Sequence, residues 1–133
     1  MSPFASRQHT FVRIGALALG TAVALGTTAL PASANDRDVI RRSGCASGVL
    51  KLKLSPDNGR IETEVEVDTN RTGQRWTVRI FRDGTRVAKA TGVTAGRSGS
   101  FDVRRLLANG AGPDTVRATA KRNGTTCSVT ATL

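Results

Sequence analysis

Residues 74–82 read Gln74-Arg75-Trp76-Thr77-Val78-Arg79-Ile80-Phe81-Arg82 and contain the only Trp of the chain. The side chains repeat with a period of two, which is typical of a strand with one face on a core and the other in solvent. The dipeptide Asp83-Gly84 follows directly and is typical of a type I′ turn, which needs positive φ at both central residues. We therefore predict a strand here and a partner strand over residues 85–90. The two alternating sets are Trp76, Val78 and Ile80, and Thr77, Arg79 and Phe81.

Residues 1–34 have the three regions of a secretory signal peptide. Arg7 and Arg13 supply positive charge, a long run of Ala, Leu, Val, Gly and Thr follows, and Ala32-Ser33-Ala34 ends in small residues. Gly and Thr dilute the apolar run, which favours a cleaved signal over a membrane anchor. No Arg-Arg pair precedes the run, which favours the general export route. We predict cleavage after Ala34, an extracellular protein and no membrane segment in the mature chain.

The predicted mature chain, residues 35–133, has the size of one domain and is long enough to bury a core. Residues 35–44 are charged and poor in apolar side chains, so we predict a flexible N-terminal arm there and a folded domain over 45–133. The only two cysteines, Cys45 and Cys127, are expected to form a disulfide in an oxidising compartment. A crosslink over so long a loop stabilises by about 4 kcal/mol in the chain-entropy account.

The chain is strongly basic, with 20 Lys and Arg residues against 10 Asp and Glu residues. Residues 1–34 contain two of the 20 basic residues and none of the 10 acidic ones, so residues 35–133 carry a net charge of +8. Such a charge indicates attraction to polyanions, such as anionic wall polymers, nucleic acid or acidic partners. The alternative interpretation is that the charge only keeps the protein soluble.

A hairpin is predicted from two alternating segments, residues 48–54 and 61–68. A cluster of turn-favouring residues, 55–59, separates them. We centre the turn on Asp57 and Asn58, because the apolar faces then meet and opposite charges lie across from each other. This register pairs Lys53 with Glu62 and Lys51 with Glu64.

The remaining segments predict three more strands, over residues 100–104, 116–121 and 127–133. Asn123-Gly124 is a second type I′ signal between the last two. Residues 92–99 hold three Gly and two Ser or Thr residues, so we predict a mobile loop there. The Asn123-Gly124 turn pairs Ala120 with Cys127, Ala118 with Val129 and Val116 with Ala131.

About seven short strands without a long helix predict an all-β domain, a single antiparallel β-sandwich of the immunoglobulin or fibronectin type III kind. A small β-barrel is the alternative architecture. Trp76 on the third strand suits the core position that such sandwiches use. The predicted disulfide joins the first and last strands, which differs from the antibody pattern, and the chain has no Tyr for a tyrosine corner.

Three stretches carry a resemblance to a group of known proteins, namely residues 75–78 (RWTV), 94–105 (TAGRSGSFDVRR) and 112–118 (GPDTVRA). With them the chain resembles small uncharacterised secreted proteins of Streptomyces-type actinobacteria, over nearly all of the mature sequence. The resemblance implies secretion and an immunoglobulin-like β-sandwich. It implies no catalytic residue, because those proteins have no assigned activity.

The sequence does not favour an enzyme. The only His, His9, lies in the predicted signal, and both cysteines are expected to be oxidised, which leaves no base for a Ser-His-Asp or Cys-His site. A Ser-Lys pair would have to use one of four lysines, three of which lie on regular alternating faces. We expect no cofactor.

One acidic series lies on alternate positions of a predicted strand, at about 6 to 7 Å spacing. A calcium site or a glycosidase pair could be drawn from such a series. The lysines predicted across the hairpin favour a solvated, ion-paired face instead, so we predict no metal site. The series is Glu62, Glu64, Glu66 and Asp68.

Cationic side chains gather on the predicted central hairpin and form a candidate anion-binding strip with one aromatic ring, Phe81. The alternative is a solvated sheet face, with Arg stems covering Phe81. Nucleic acid is not favoured, because its recognition usually needs more exposed aromatic residues. The candidate residues are Arg75, Arg79, Arg82, Arg86 and Lys89.

We predict a secreted, non-catalytic binding module that engages an anionic envelope polymer or another extracellular protein. The alternative is a small secreted inhibitor of an extracellular hydrolase, with the Gly-rich segment Thr91–Ser100 as its inserted loop. Inhibitory loops are usually preorganised by a nearby disulfide, and the sequence offers none beside this segment, so the binding module is preferred.

Overall fold

A computed structural model describes residues 37–133 and shows eight strands in that part of the chain. The predicted signal peptide, residues 1–34, and its predicted cleavage point lie outside the described residues. The strands are β1 (Val39–Cys45), β2 (Gly48–Asp57), β3 (Arg60–Asp68), β4 (Arg75–Arg82), β5 (Thr85–Val93), β6 (Ser100–Ala108), β7 (Thr115–Arg122) and β8 (Thr125–Thr132).

The strands form two antiparallel sheets, with the orders β1-β2-β3-β6 and β5-β4-β7-β8. One hydrophobic core of buried residues from both sheets lies between them. The predicted β-sandwich is therefore confirmed, and the sheets do not close into the alternative barrel. The domain has eight strands where about seven were predicted, and the additional one is the edge strand β1.

Strand β1 corrects the prediction of a flexible arm over residues 35–44. Residues 39–45 pair with β2 from Val39, opposite Leu54, to Cys45, opposite Gly48. The segment is polar because β1 is an edge strand and leaves several side chains in solvent, so its composition resembles that of a disordered arm. Its Val39 nevertheless packs against the core.

The hairpin between β2 and β3 has a register two residues away from the predicted one. Asn58 and Gly59, with φ of 46° and 74°, form the turn, because they can adopt the positive φ that a two-residue loop requires. A register shift of two residues keeps every side chain on its predicted face, since side chains alternate between the two faces of a strand with a period of two residues. The observed pairs are Lys53 with Glu64 and Lys51 with Glu66.

The other two tight turns form as predicted. Asp83-Gly84 has φ of 47° and 84°, and Asn123-Gly124 has φ of 45° and 80°. The three predicted β7–β8 pairs are all present: Ala120 with Cys127, Ala118 with Val129 and Val116 with Ala131.

Trp76 belongs to the hydrophobic core, with 1% of its surface exposed. Its indole Nε1–H donates to Oε1 of Gln74, at 3.3 Å, so the ring is buried without losing its hydrogen bond. Strand β4 lies between β5 and β7, and its alternate residues Val78 and Ile80 are fully buried on the same face of the strand as Trp76. The core position predicted for Trp76 is confirmed.

We expect Trp76→Ala to lower the free energy of unfolding by about 3 to 5 kcal/mol, because it removes a large buried side chain and leaves a cavity. Urea unfolding followed by circular dichroism measures the change. Val93→Ala is the control, since Val93 is 42% exposed and should change stability by less than about 0.5 kcal/mol. A loss below about 1 kcal/mol for Trp76→Ala would contradict the burial of the ring.

The disulfide between Cys45 and Cys127 is present, as predicted, and leaves no free cysteine. It joins β1 of one sheet to β8 of the other, so it closes one open side of the sandwich. Both cysteines are buried. A buried disulfide of this kind is compatible with an extracellular location.

Replacing both cysteines by Ala is expected to lower the free energy of unfolding by about 2 to 5 kcal/mol, mainly because the unfolded chain is no longer crosslinked. Chemical unfolding of the oxidised protein and of the double variant gives the difference. Thiol labelling of the native protein, with and without prior reduction, is the companion measurement. Labelling without reduction would show that the bond is not formed.

Candidate anion-binding face

The outer surface of the second sheet carries most of the predicted cationic strip. On β4, burial of Trp76, Val78 and Ile80 turns the intervening residues outward, and these include Arg75 and Arg79. On β5, Lys89 lies directly opposite Arg79, so both side chains are on the same outer face.

A β-bulge brings Arg86 to this face. The register between β4 and β5 shifts between Ile80 and Phe81, so that Ile80 lies opposite Ala88 while Phe81 lies opposite Arg86. Val87 is the extra residue. Arg86 therefore shares the outer face with Phe81, as the sequence predicted.

Arg82 is the one predicted strip residue that does not join this face. It follows Ile80 by two residues and so lies on the inner side, at the end of β4. Its Nε–H donates to Oδ1 of Asp114 at 2.6 Å, and the Asp114 side chain is only 2% exposed. The backbone N–H of Gly110 donates to the other carboxylate oxygen at 3.0 Å. Arg82 thus anchors the loop before β7, and its guanidinium is already paired with Asp114.

Two cations that sequence reasoning missed complete the face. Strand β7 lies beside β4, with Arg117 opposite Phe81 and Lys121 opposite Thr77. The alternation of β7 was visible in the sequence, but its position beside β4 was not, because two other strands separate them along the chain. We call the set the cationic face. It consists of Arg75, Arg79, Arg86, Lys89, Arg117 and Lys121.

Phe81 is not available as a stacking surface. The guanidinium carbon of Arg117 lies 4.3 Å from the centroid of the Phe81 ring, a cation–π contact. Arg86 lies across from the same ring on the other side. The aromatic residue of the predicted strip therefore fixes a cation on the surface and offers little of its own ring to a ligand.

Hydroxyl groups fill much of the rest of this surface. Thr77 and Thr119 stand between the cations of β4 and β7. Beyond β7, the outer positions of β8 carry only hydroxyl side chains, which can donate to and accept from an anion. The β7–β8 pairs on this face are Lys121 with Thr126, Thr119 with Ser128, Arg117 with Thr130 and Thr115 with Thr132.

Strands β4, β5, β7 and β8 contain no acidic residue, and within residues 37–133 none of the six cations of the cationic face forms an ion pair with a carboxylate. The outer face of the other sheet is different. There two residues of the predicted acidic series, Glu64 and Glu66, are paired with cations of neighbouring strands, and the hydrogen bond from Lys51 to Glu66 raises the pKa of Lys51 above its ordinary value of 10.5. The ion pairs are Lys51 with Glu64 and Glu66, Lys53 with Asp38, and Arg104 with Glu64 and Asp102.

The described residues contain no group of three or more His, Cys, Asp or Glu side chains that could hold a metal ion. A depression of about 200 Å³ lies on the ion-paired face of the first sheet. Its lining mixes both signs of charge, so it presents no net attraction to an anion. The lining residues are Arg42, Val49, Lys51, Glu66 and Asp68.

The segment predicted as a mobile, inserted loop is short and tied down. Thr91 to Val93 belong to β5, and Ala95 and Ser100 exchange both backbone hydrogen bonds, at 3.0 and 3.1 Å. Thr94 is 1% exposed and donates from Oγ1 to the carbonyl oxygen of Arg71 at 2.6 Å. Only residues 96–99 form the turn itself, so no extended loop is available here for insertion into a partner's active site.

No protein-family model, no curated protein and no solved structure matches this chain. Residues 37–133 contain no helix long and apolar enough to cross a membrane.

The Arg82–Asp114 pair predicts a specific pH dependence. The hydrogen bond from Arg82 keeps the pKa of Asp114 below its ordinary value of 3.8, assisted by the Gly110 N–H and opposed by burial. A carboxyl whose pKa is lowered by folding contributes stability above its unfolded pKa and loses it as the pH falls through the folded pKa. This contribution is therefore present at pH 7, begins to be lost as the pH falls below about 4, and is gone only below the lowered pKa of the folded protein.

We expect Asp114→Asn to lower the free energy of unfolding at pH 7 by about 1.5 to 3 kcal/mol, the range for a hydrogen bond to a charged group. The deficit should shrink as the pH falls below about 4, because the native protein then progressively loses the contribution of the ionised carboxyl. Urea unfolding at pH 7 and pH 3 measures both. Asp102→Asn is the control, because its pair with Arg104 is exposed and contributes little. An equal loss of unfolding free energy at pH 7 and pH 3 would show that the ionised Asp114 carboxylate is not the source of the stabilisation.

Proposed function

We propose that this chain is a secreted, non-catalytic binding module that holds an anionic envelope polymer, or another extracellular protein with an acidic surface, on its cationic face. The observation that carries the proposal is the set of six cations without ion pairs on one sheet face. The arrangement of these cations matters more than their number, because Lys51, Lys53 and Arg104 on the other sheet are each paired with a carboxylate. A surface of one sign attracts ligands of the opposite sign.

Secretion is supported by two independent features. Residues 1–34 have the sequence pattern of a signal peptide, with cleavage proposed after Ala34. The Cys45–Cys127 disulfide is compatible with an oxidising compartment outside the cell. An export route would bring the cationic face into contact with the anionic polymers of the envelope.

A binding role is supported over a catalytic one by the chemistry available. Residues 35–133 contain no His, and their two cysteines are bonded to each other. Arg and Lys side chains can hold an anion, but they are protonated at neutral pH and so supply no base to activate a nucleophile. The hydroxyl groups beside them therefore act as hydrogen-bonding partners of a bound anion.

Four of the six cations are Arg, which favours phosphate or carboxylate groups. A guanidinium presents paired N–H donors that match two oxygens of such a group, and these charge-assisted bonds are stronger than neutral ones. The face is open to solvent, so salt should screen the attraction. Binding is then expected to be tight at low salt and steeply weaker at high salt.

Co-sedimentation with purified bacterial walls, with and without their anionic polymers and over a salt series, tests the proposal. We expect the protein to sediment with intact walls, and to stay in solution when the polymers are removed or the salt is raised. The double variant Arg79→Glu/Arg86→Glu should lose at least about tenfold in affinity, because two attractive contacts become repulsive.

The matched control is Arg71→Glu/Arg97→Glu, which makes the same change in net charge on exposed loop residues outside the cationic face. It should retain most of the binding. Equal losses for the two double variants would mean that net charge alone matters and would reject the face as the site. Circular dichroism and thermal unfolding of both variants show whether either substitution disturbs the fold.

A further inference from the structure

The cations of β4 and β7 follow a regular order along the sheet. The pairing of the two strands defines successive rows, and each row carries one cation, alternately on β4 and on β7. Row by row, Lys121 stands opposite Thr77, Arg79 opposite Thr119, and Arg117 opposite Phe81. Arg75 precedes the first of these rows on β4. We call these four residues, Arg75, Lys121, Arg79 and Arg117, the cation track.

The spacing of the track follows from strand geometry. Successive rows on one face are two residues apart, which is about 6.6 to 6.8 Å along the strand, and neighbouring strands lie about 4.8 Å apart. The track therefore presents one positive charge about every 7 Å along the strands, alternately on two strands about 4.8 Å apart. A linear anion with a similar charge repeat could place one charge against every cation.

A phosphodiester chain with a three-carbon linker has this repeat. Six single bonds separate its successive phosphorus atoms, and since three backbone bonds of an extended chain span about 3.3 to 3.6 Å, six span about 7 Å. Because about 7 Å is the extended length of the repeat, the chain would run straight between β4 and β7, with the long Arg and Lys side chains reaching it from both strands. Each phosphate would also meet the donors of a guanidinium or an ammonium group.

Resting on the proposed function, we propose that the polymer bound by the cationic face is a polyol phosphate, which lies along β4 and β7 with one phosphate at each cation of the track. The hydroxyl column of β8 borders the track on one side. Its side chains, Thr126, Ser128 and Thr130, can hydrogen-bond to the free hydroxyls of the polyol. On the other side, Lys89 and Arg86 of β5 add positive charge.

Nucleic acid shares the phosphodiester repeat but does not suit this face. Single-stranded nucleic acid is held largely by bases that stack on aromatic side chains. Residues 37–133 have three aromatic side chains: Trp76 is buried, Phe101 packs against the core, and Phe81 is covered by Arg117. A polyol needs no stacking surface, and the hydroxyl side chains of this face can hydrogen-bond to it.

Titration calorimetry with a synthetic hexamer of glycerol phosphate tests the proposal. The comparison ligands are a thymidine oligonucleotide with the same number of phosphates and an oligogalacturonate with the same number of carboxylates. The glycerol phosphate hexamer should bind tightest. The logarithm of its binding constant should fall with the logarithm of salt concentration with a slope of about −3, which corresponds to four phosphates at about −0.7 each.

A charge-relocating variant tests the order of the track. Lys121→Thr/Thr126→Lys moves one cation sideways from β7 to β8 within the same row and keeps the composition and net charge. We expect it to weaken hexamer binding by about tenfold, the loss of one good ionic contact. Arg71→Thr/Thr72→Arg is the control, since it moves a cation by one residue within an exposed loop outside the cationic face. It should change the affinity by less than about twofold.

The possible outcomes separate the two proposals. If the oligonucleotide or the oligogalacturonate binds as tightly as the hexamer or tighter, the ligand is not specifically a polyol phosphate. The proposal of an anion-binding face would still stand. An unchanged affinity for Lys121→Thr/Thr126→Lys would overturn the ordered track. Failure to bind any of the three polyanions would overturn the proposed polymer-binding function itself. Thermal unfolding of each variant shows that a lost affinity does not come from a lost fold.

Discussion

The burial of Trp76, Val78 and Ile80 on β4 is the constraint on which the rest of the structure depends. This strand lies between β5 and β7, and its inner residues are almost completely removed from water. Because side chains alternate along a strand, fixing the inner set also fixes which residues face outward. The same burial that stabilises the core therefore holds Arg75 and Arg79 on the surface. The candidate site is a direct consequence of the packing and needs no loop to position it.

Local features of the fold could be predicted from the sequence, whereas distant pairings could not. The turns at Asp83-Gly84 and Asn123-Gly124 are encoded by two residues each that accept positive φ. In the first hairpin the sequence offered Asp57, Asn58 and Gly59, and the backbone uses the pair that includes the Gly. The neighbours of β4 were only half predictable. Strand β5 follows it through a tight turn, but β7 returns after two other strands, so Arg117 and Lys121 were missed.

Strand β1 shows why composition alone misleads at the edge of a sheet. An edge strand with one partner leaves many polar side chains in water, as an arm without fixed structure does. What separates the two is pairing with β2 and the disulfide from Cys45 to β8. The cysteines could be found in the sequence, yet the prediction placed the domain boundary at Cys45 itself. Arg82 was misassigned for a related reason: alternation gives it an inner position, and its partner Asp114 lies 32 residues away in sequence.

The two outer faces together bear on whether the positive charge serves binding or only solubility. Both follow the same alternation, yet on the first sheet Lys51 forms ion pairs with carboxylates of β3 and Lys53 forms one with Asp38. The second sheet sets Lys89 against Arg79, and like charges directly opposite each other destabilise a sheet. Solubility does not require positive charges to be gathered on one face, because a surface with mixed charges is soluble without this repulsion. A bound polyanion would remove the repulsion and add contacts, so the one-signed face supports the binding interpretation.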